Sequence, residues 1–263
     1  MSVDIIHNEN CLDTMSLMSD GWVDLVVTSP PYDGLRKYNG YSFDFEHVAQ
    51  ELYRVVKPGG VVVWVVSDQT VKGTETLSSF KQAIYFSSCG FNIHDTMIYM
   101  KQNYKPMTHN RYEQQFEYMF VLSKGRPETF NPIMDPVKYP RSRTLKMRDG
   151  DGFKYTRQEP NTHKIRGNVW SYKTGGGHVS DQKVAHKHPA ICPIQLVRDH
   201  ITTWSNPGEI VYDPFMGSGT TAVAAIEYKR LYVGSEISDE YCKLANDRIQ
   251  SMIPSLPIGD TKV

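Results

Sequence analysis

Two short strings carry the residue types that a transfer reaction on a nucleoside-like ligand would need. The first is Asp213-Pro214-Phe215-Met216-Gly217-Ser218-Gly219-Thr220-Thr221. It sits between a predicted strand and a predicted helix, so its glycines let backbone come close to a ligand while the helix start offers N–H groups without partners. A predicted strand from Leu231 then runs into Gly234-Ser235-Glu236, which puts an acid 23 positions after Asp213. Nucleoside-binding α/β folds hold a carboxylate there for ribose hydroxyls. Two other glycine loops are excluded by single residues: Thr220 stands where a phosphate loop has lysine, and Ala222 where a dinucleotide loop has its third glycine. Taken alone, the string is also compatible with a tight turn, and Glu236 with a solvated strand end.

The second string is Thr28-Ser29-Pro30-Pro31-Tyr32, again at the end of an apolar strand. Two successive prolines fix φ near about −65° and remove two donors, which leaves carbonyls as rigid acceptors beside an aromatic face. Such a corner suits a planar group bearing an NH2. A stiff structural corner is the other reading of the same residues.

Strand and helix patterns alternate on either side of a patternless middle, as in an α/β domain. Val3–His7, Trp22–Ser29 and the wholly apolar Val61–Val66 read as strands, the last as a central one covered on both faces. A helix is expected over about 45–57, with Pro58-Gly59-Gly60 stopping it, and another is marked by Leu77, Phe80 and Ile84 and ended by Gly90. Phe91–Met100 and Glu117–Leu122 read as an antiparallel pair at one edge. Pro193 suits the start of a helix carrying Ile194, Val197, Ile201 and Trp204, followed by strand 209–212, helix 219–229, strand 231–235 and a last helix from Ser238 to about Ile249.

The 263 residues carry 29 Lys+Arg and 29 Asp+Glu, and 40% are hydrophobic, enough for a real core and not a disordered tail. No apolar run approaches the roughly 20 residues of a membrane span. The N-terminus lacks the pattern of a secretory leader, and Cys11, Cys89, Cys192 and Cys242 form no CxxC pair, so reduced thiols and a cytoplasmic location are expected. The neutral total hides an asymmetry: between Lys138 and Lys187 twelve Lys+Arg face four acids, a net charge of +8. Tyr139, Phe153, Tyr155, Trp170 and Tyr172 interleave with those cations, as in segments that contact nucleic acid, and also as in a small insertion's own core. His178, His186, His188 and Cys192 lack zinc-finger spacing, and no metal is expected. Asp33, Arg36 and Lys37 are either ligand contacts or solvated loop charges.

Together the strings resemble the S-adenosylmethionine-dependent DNA amino-methyltransferases in the permuted order, with the catalytic SPPY ahead of the cofactor motif DPFMGSGTT. HPAICPIQL, at 188–196, is similar to the segment those enzymes close over the cofactor. The resemblance implies a Rossmann-like methyltransferase sheet, mostly parallel with an antiparallel edge hairpin, plus an irregular basic insertion. It implies a catalytic domain over 1–125 and 185–250 and a target-recognition insertion over 126–184. Its catalytic residues would be Ser29, Pro30, Pro31 and Tyr32. Its cofactor contacts would be Asp213, Pro214, Phe215, Gly217, Ser218, Gly219, Thr220, Glu236, Asn10, His188 and Pro189. The family often has Gly-Asp near the first strand where this chain has Glu9-Asn10-Cys11, which leaves Asn10 and Asp13 as alternatives for that acid's place.

The implied substrate is double-stranded DNA with its target base flipped out, with no membrane partner. A cognate restriction nuclease acting separately would complete a restriction-modification pair. SPPY tilts the amine toward cytosine N4, with adenine N6 the alternative. RNA or protein-glutamine methylation, whose enzymes carry NPPY, is a further rival that Ser29 argues against. No proline is followed by cysteine, so the Pro-Cys pair of ring-carbon methylation is absent.

Overall fold

The two strings end neighbouring strands. A computed structural model describes residues 1–31, 44–104, 110–174 and 192–252. In chain order its elements are β1 (Ile5–His7), α1 (Cys11–Ser16), β2 (Val23–Thr28), α2 (Phe45–Val55), β3 (Val56–Val66), the short pair β4 (Thr70–Val71) and β5 (Thr74–Glu75), α3 (Ser78–Ser88), β6 (Asn92–Lys101) and β7 (Phe116–Ser123). Then follow β8 (Met134–Pro136), β9 (Arg143–Asp149), β10 (Gly152–Gln158), β11 (His163–Ile165), β12 (Val169–Tyr172), α4 (Ile194–Trp204), β13 (Ile210–Asp213), α5 (Thr220–Glu227), β14 (Leu231–Ser235) and α6 (Asp239–Met252).

Eight strands form one sheet in the order β1-β14-β13-β2-β3-β7-β6-β12, parallel except where β7 pairs with β3 and β6. From β13 the chain moves outward to β14, and from β2 it moves the opposite way to β3, so order reverses between β2 and β13, the place where open α/β sheets bind ligands. Alternation along β3 serves two helical layers: Val62, Trp64 and Val66 pack with Met15, Leu52, Val55 and Phe86 of α1 to α3. Val61, Val63 and Val65 point to the other face, and α4 packs on β2 and on α5. The fold class read from sequence is the one found.

The structure also departs from the expected elements. Leu77, Phe80 and Ile84 are exposed, and α3 buries Ser79, Gln82, Ala83 and Phe86 instead. Phe86 seats against Trp64, and Gln82 accepts the Trp64 indole N–H at 2.8 Å, so one specific polar contact outweighs the apolar spacing in choosing the buried face. The antiparallel β6–β7 pair lies one strand in from the edge, because Val169–Tyr172 adds parallel to β6. Helix α1, too short for a clear period, was not expected; Asn10 caps it, accepting the Leu12 N–H at 2.9 Å.

Asn131–Gly167 is a compact unit of its own. It has two antiparallel ladders, β9 with β10 and β8 with β11, the second braced by Arg166 on Asp135. The β9–β10 ribbon is exposed along its length, so its apolar residues lack the in–out alternation by which strands are read. Among the described residues no helix is long and apolar enough to cross a membrane. All four cysteines are free thiols.

Candidate active site

Asp213 ends β13 and Thr28 ends β2, and their side chains meet. Thr28 Oγ1 donates to Asp213 Oδ1 at 2.6 Å, Thr221 Oγ1 to Oδ2 at 2.7 Å, and the Phe215 N–H to Oδ1 at 3.0 Å. Burial pushes the Asp213 carboxyl above its usual range, and these three donors oppose that shift. Ser29 follows Thr28 directly and is half-buried, Pro30 is buried and Pro31 half-buried. The structure therefore brings the start of the catalytic string to the cofactor string. Tyr32, Asp33, Arg36 and Lys37 lie outside the described residues.

The cofactor string turns tightly above its strand. The Met216 N–H bonds the Ser235 carbonyl at 2.9 Å, and the Gly219 N–H the Met216 carbonyl at 2.9 Å. Gly217 has φ 53° and Gly219 φ 81°, a region that favours glycine. A Cβ on Gly219 would also lie 2.8 Å from the Ala245 Cβ, so glycine is required by packing as well as by backbone. Gly219 is the N-cap of α5 and provides no side-chain cap, which leaves first-turn N–H groups for a ligand. Pro214 is buried, and the half-buried Phe215 ring stands 6.2 Å from the Trp64 ring. Thr220 is buried as the first residue of α5.

Glu236 follows β14 and stands against the same loop. Its Oε2 accepts the Gly217 N–H at 2.8 Å and its Oε1 the Ser238 N–H at 2.9 Å. It is 9% exposed, and burial raises its carboxyl while those N–H groups pull it back. Each carboxylate oxygen keeps a further lone pair for a hydroxyl. Asn8 Nδ2 bonds the Glu236 carbonyl at 2.9 Å and the Glu236 N–H bonds the His7 carbonyl at 3.0 Å, fastening the end of β1 to this acid. Asn10, by contrast, has its side-chain oxygen engaged in capping α1, and Asp13 is exposed in that helix's first turn.

Several residues of the site were given no role by the motifs. Thr28 and Thr221 lay inside the two strings without a task of their own and prove to be hydroxyl donors to Asp213, whereas Arg248 of α6, outside both, donates to the carbonyl and Oγ of Ser218, the latter at 3.1 Å. Arg248 is 2% exposed, and burial lowers its pKa to about 10. The signal for it was present: a cation inside the apolar face Leu244, Ala245 and Ile249 needs a buried acceptor. His188, Pro189, His178 and His186 lie outside the described residues; among the described residues no three His, Cys, Asp or Glu converge on a common point.

The cleft thus offers glycine backbone, a helix start and an acid on one side, and a proline-stiffened corner on the other. A nucleoside-bearing donor fits the first set and a planar acceptor the second. Residues 23–247 match the DNA methylase family of N6 and N4 enzymes. The chain is 53% identical over 243 residues to the orphan methyltransferase M.BamHII of Bacillus amyloliquefaciens, covering 90% of this chain and 92% of that one. Two solved structures share the fold. The cytosine-N4-specific PvuII DNA methyltransferase has a TM-score of 0.69 at 19% identity, over 94% of this chain and 86% of that one. The M1.HpyAVI–SAM complex has a TM-score of 0.59 at 23% identity, over 92% and 98%.

Proposed function

Because this chain belongs to the N6/N4 DNA methylase family, we propose that it moves a methyl group from S-adenosylmethionine to an exocyclic amine of double-stranded DNA, at cytosine N4. The observation that carries this reading is the Thr28–Asp213 contact, which joins the amine-holding string to the donor string at the reversal of strand order. When bound, the donor supplies an electrophilic methyl on a sulfonium.

The chain's own residues do the rest. Gly217 and Gly219 give the donor backbone it can approach closely, Ser218 and Thr220 complete that turn, and Pro214 and Phe215 wall it. Glu236 takes the ribose hydroxyls, and Asn10 stands at the adjoining end of β1. In this reading His188 and Pro189 also contact the donor. An exocyclic amine is a weak nucleophile because its lone pair is shared with the ring. The Ser29 hydroxyl and Pro30 carbonyl accept its two N–H groups, aim the lone pair and favour positive charge growing on nitrogen. Pro31 stiffens this corner, and Tyr32 stacks on the flipped base, offsetting part of an unstacking cost of about a few kcal/mol.

The basic residues read as target recognition over 126–184 contain the β9–β10 ribbon. Register places Lys146, Arg148, Phe153 and Tyr155 on one face of it, with Lys146 Nζ 3.7 Å from the Phe153 ring centroid. Two-stranded ribbons of this kind enter a DNA groove, cations toward phosphates and flat rings toward bases. Ser29 favours cytosine over adenine in this reading. Labelled S-adenosylmethionine incubated with duplex DNA, RNA and protein tests it, followed by digestion to nucleosides: N4-methylcytosine is expected. Label in RNA or protein but not in DNA rejects the reading, and N6-methyladenine corrects its base.

A further inference from the structure

The backbone ladder between β2 and β13 runs only through Leu25 with Val211 and Val26 with Tyr212. Past that point side chains join the two strands, and they do so on one carboxylate. Asp213 is 5% exposed. It collects hydroxyls from Thr28 on β2 and Thr221 on α5, and an N–H from Phe215 in the loop. Among the described residues no Lys or Arg is paired with it. An ionised carboxylate only accepts, so each contact is strongest while Asp213 keeps its charge. Thr28 is also held from the other side, because its strand partner on β3 is Trp64, whose ring faces Phe215. The next residue is Ser29.

We propose that Thr28 is a positioning residue for the methyl transfer: through Asp213 it fixes the Ser29-Pro30 segment against the donor loop, so that acceptor and donor are held as one rigid body. The inference rests on the reading above and assigns Asp213 a task inside the protein beyond any contact with the donor. A reacting pair misplaced by about 1 Å loses on the order of 100-fold in rate, so a strut next to the amine-binding residue has leverage out of proportion to its one hydrogen bond.

The test uses the full chain and the variants Thr28→Val, which keeps the shape and removes the hydroxyl, and Thr28→Ser, which restores it. Thr28→Val is expected to cut turnover by about 10- to 100-fold while donor affinity stays within about threefold, and Thr28→Ser to recover most of the loss. Loss of a donor to the charged form raises the Asp213 pKa, so the acid limb of turnover against pH should move upward by about one unit in Thr28→Val and not in Thr28→Ser. Among the described residues the other titratable groups close to Asp213 are Glu236 after β14, Cys11 on α1, Cys192 ahead of α4 and Tyr212 on its own strand. Burial holds Cys11, Cys192 and Tyr212 protonated, with Cys11 pushed up to about 12, which among the described residues leaves Glu236 as the other nearby acid in the working range.

Wild-type turnover with an unmoved acid limb in Thr28→Val overturns the proposal. So does an equal loss of turnover and donor affinity that Thr28→Ser does not repair, since that marks ordinary damage. A 13C titration of the Asp213 carboxyl in wild type and Thr28→Val reads the strut without any transfer. If wild type methylates nothing, the functional reading has failed and this titration decides the strut separately: a higher midpoint in Thr28→Val supports it, an identical one removes it.

Discussion

Two ladders of strands, β2 with β13 and β9 with β10, are built on opposite principles. Where β2 meets β13, strands are covered on both faces, and Asp213 there and Glu236 after the adjoining β14 are buried with protein donors on both oxygens of each. Where β9 meets β10, every described side chain is exposed, and Lys146 lies against the rings of Phe153 and Tyr155. The first is fixed before any ligand arrives, as bond-making geometry demands. The second is joined by its antiparallel backbone ladder, with its side chains exposed to solvent. In the proposed function chemistry and recognition are thereby separable, and damage to one is expected to leave the other largely intact.

Breaking the rigid region should give the largest effects. Gly217→Val forces a branched side chain into φ 53° and dislodges the N–H that Glu236 accepts. Donor binding by calorimetry should be lost, with the far-ultraviolet circular dichroism of the fold retained. Ser29→Ala should lower turnover by about 100- to 1,000-fold, the usual scale for one preorganised hydrogen-bonding group, and move donor affinity far less. Equal losses in both would unite the two roles that the cleft keeps apart.

Damage to the ribbon should leave the donor site intact. Lys146→Ala and Arg148→Ala are each expected to flatten the slope of log affinity against log salt by about 0.9 for every phosphate contact removed, with donor affinity unchanged. An unaltered slope takes the ribbon out of the DNA interface.

Stability separates the regions in the same way. Leu52→Ala, at 0% exposure in the core, should cost about 2–5 kcal/mol in denaturant unfolding, whereas Met147→Thr, at 60% exposure, should stay within about 0.5 kcal/mol. The pH dependence belongs to the core. His200 is fully buried, its ring 4.7 Å from the Trp170 ring, its Nε2 3.3 Å from Met119 Sδ and its Nδ1 without a partner. Burial lowers its pKa to about 3 from 6.5. The unfolded chain takes up that proton first, so stability is full above about pH 6.5 and falls as pH drops toward 3. His200→Phe should flatten that acid decline, and an unchanged profile would assign it to other groups.

How far the sequence shows these regions follows from what holds them. DPFMGSGTT and SPPY are legible because backbone conformation and donor count dictate residue type: little but glycine tolerates the turn at 217 and 219, and only proline removes an N–H. The strands β3 and β13 are legible because two-sided burial demands apolar runs. The bonds that Thr28 and Arg248 make are not, because a hydroxyl or guanidinium that completes a buried network has no period, and its partner lies 185 or 30 positions away. The ribbon escaped for the converse reason: with both faces wet, neither needs to be apolar. On α3 the apolar spacing pointed to the wrong face, since the Trp64–Gln82 bond and Phe86 choose the buried one.

The central claim is that two strings far apart in the chain form one cleft around one donor molecule. A crystal structure of the full chain with S-adenosylmethionine tests it directly. The account predicts the ribose on Glu236, the donor along Gly217 and Gly219, and the sulfonium methyl facing Ser29 and Pro30 with room for an acceptor nitrogen at about 3–3.5 Å. A donor bound with its methyl turned away from Ser29 and Pro30, or bound without touching Glu236, would contradict it.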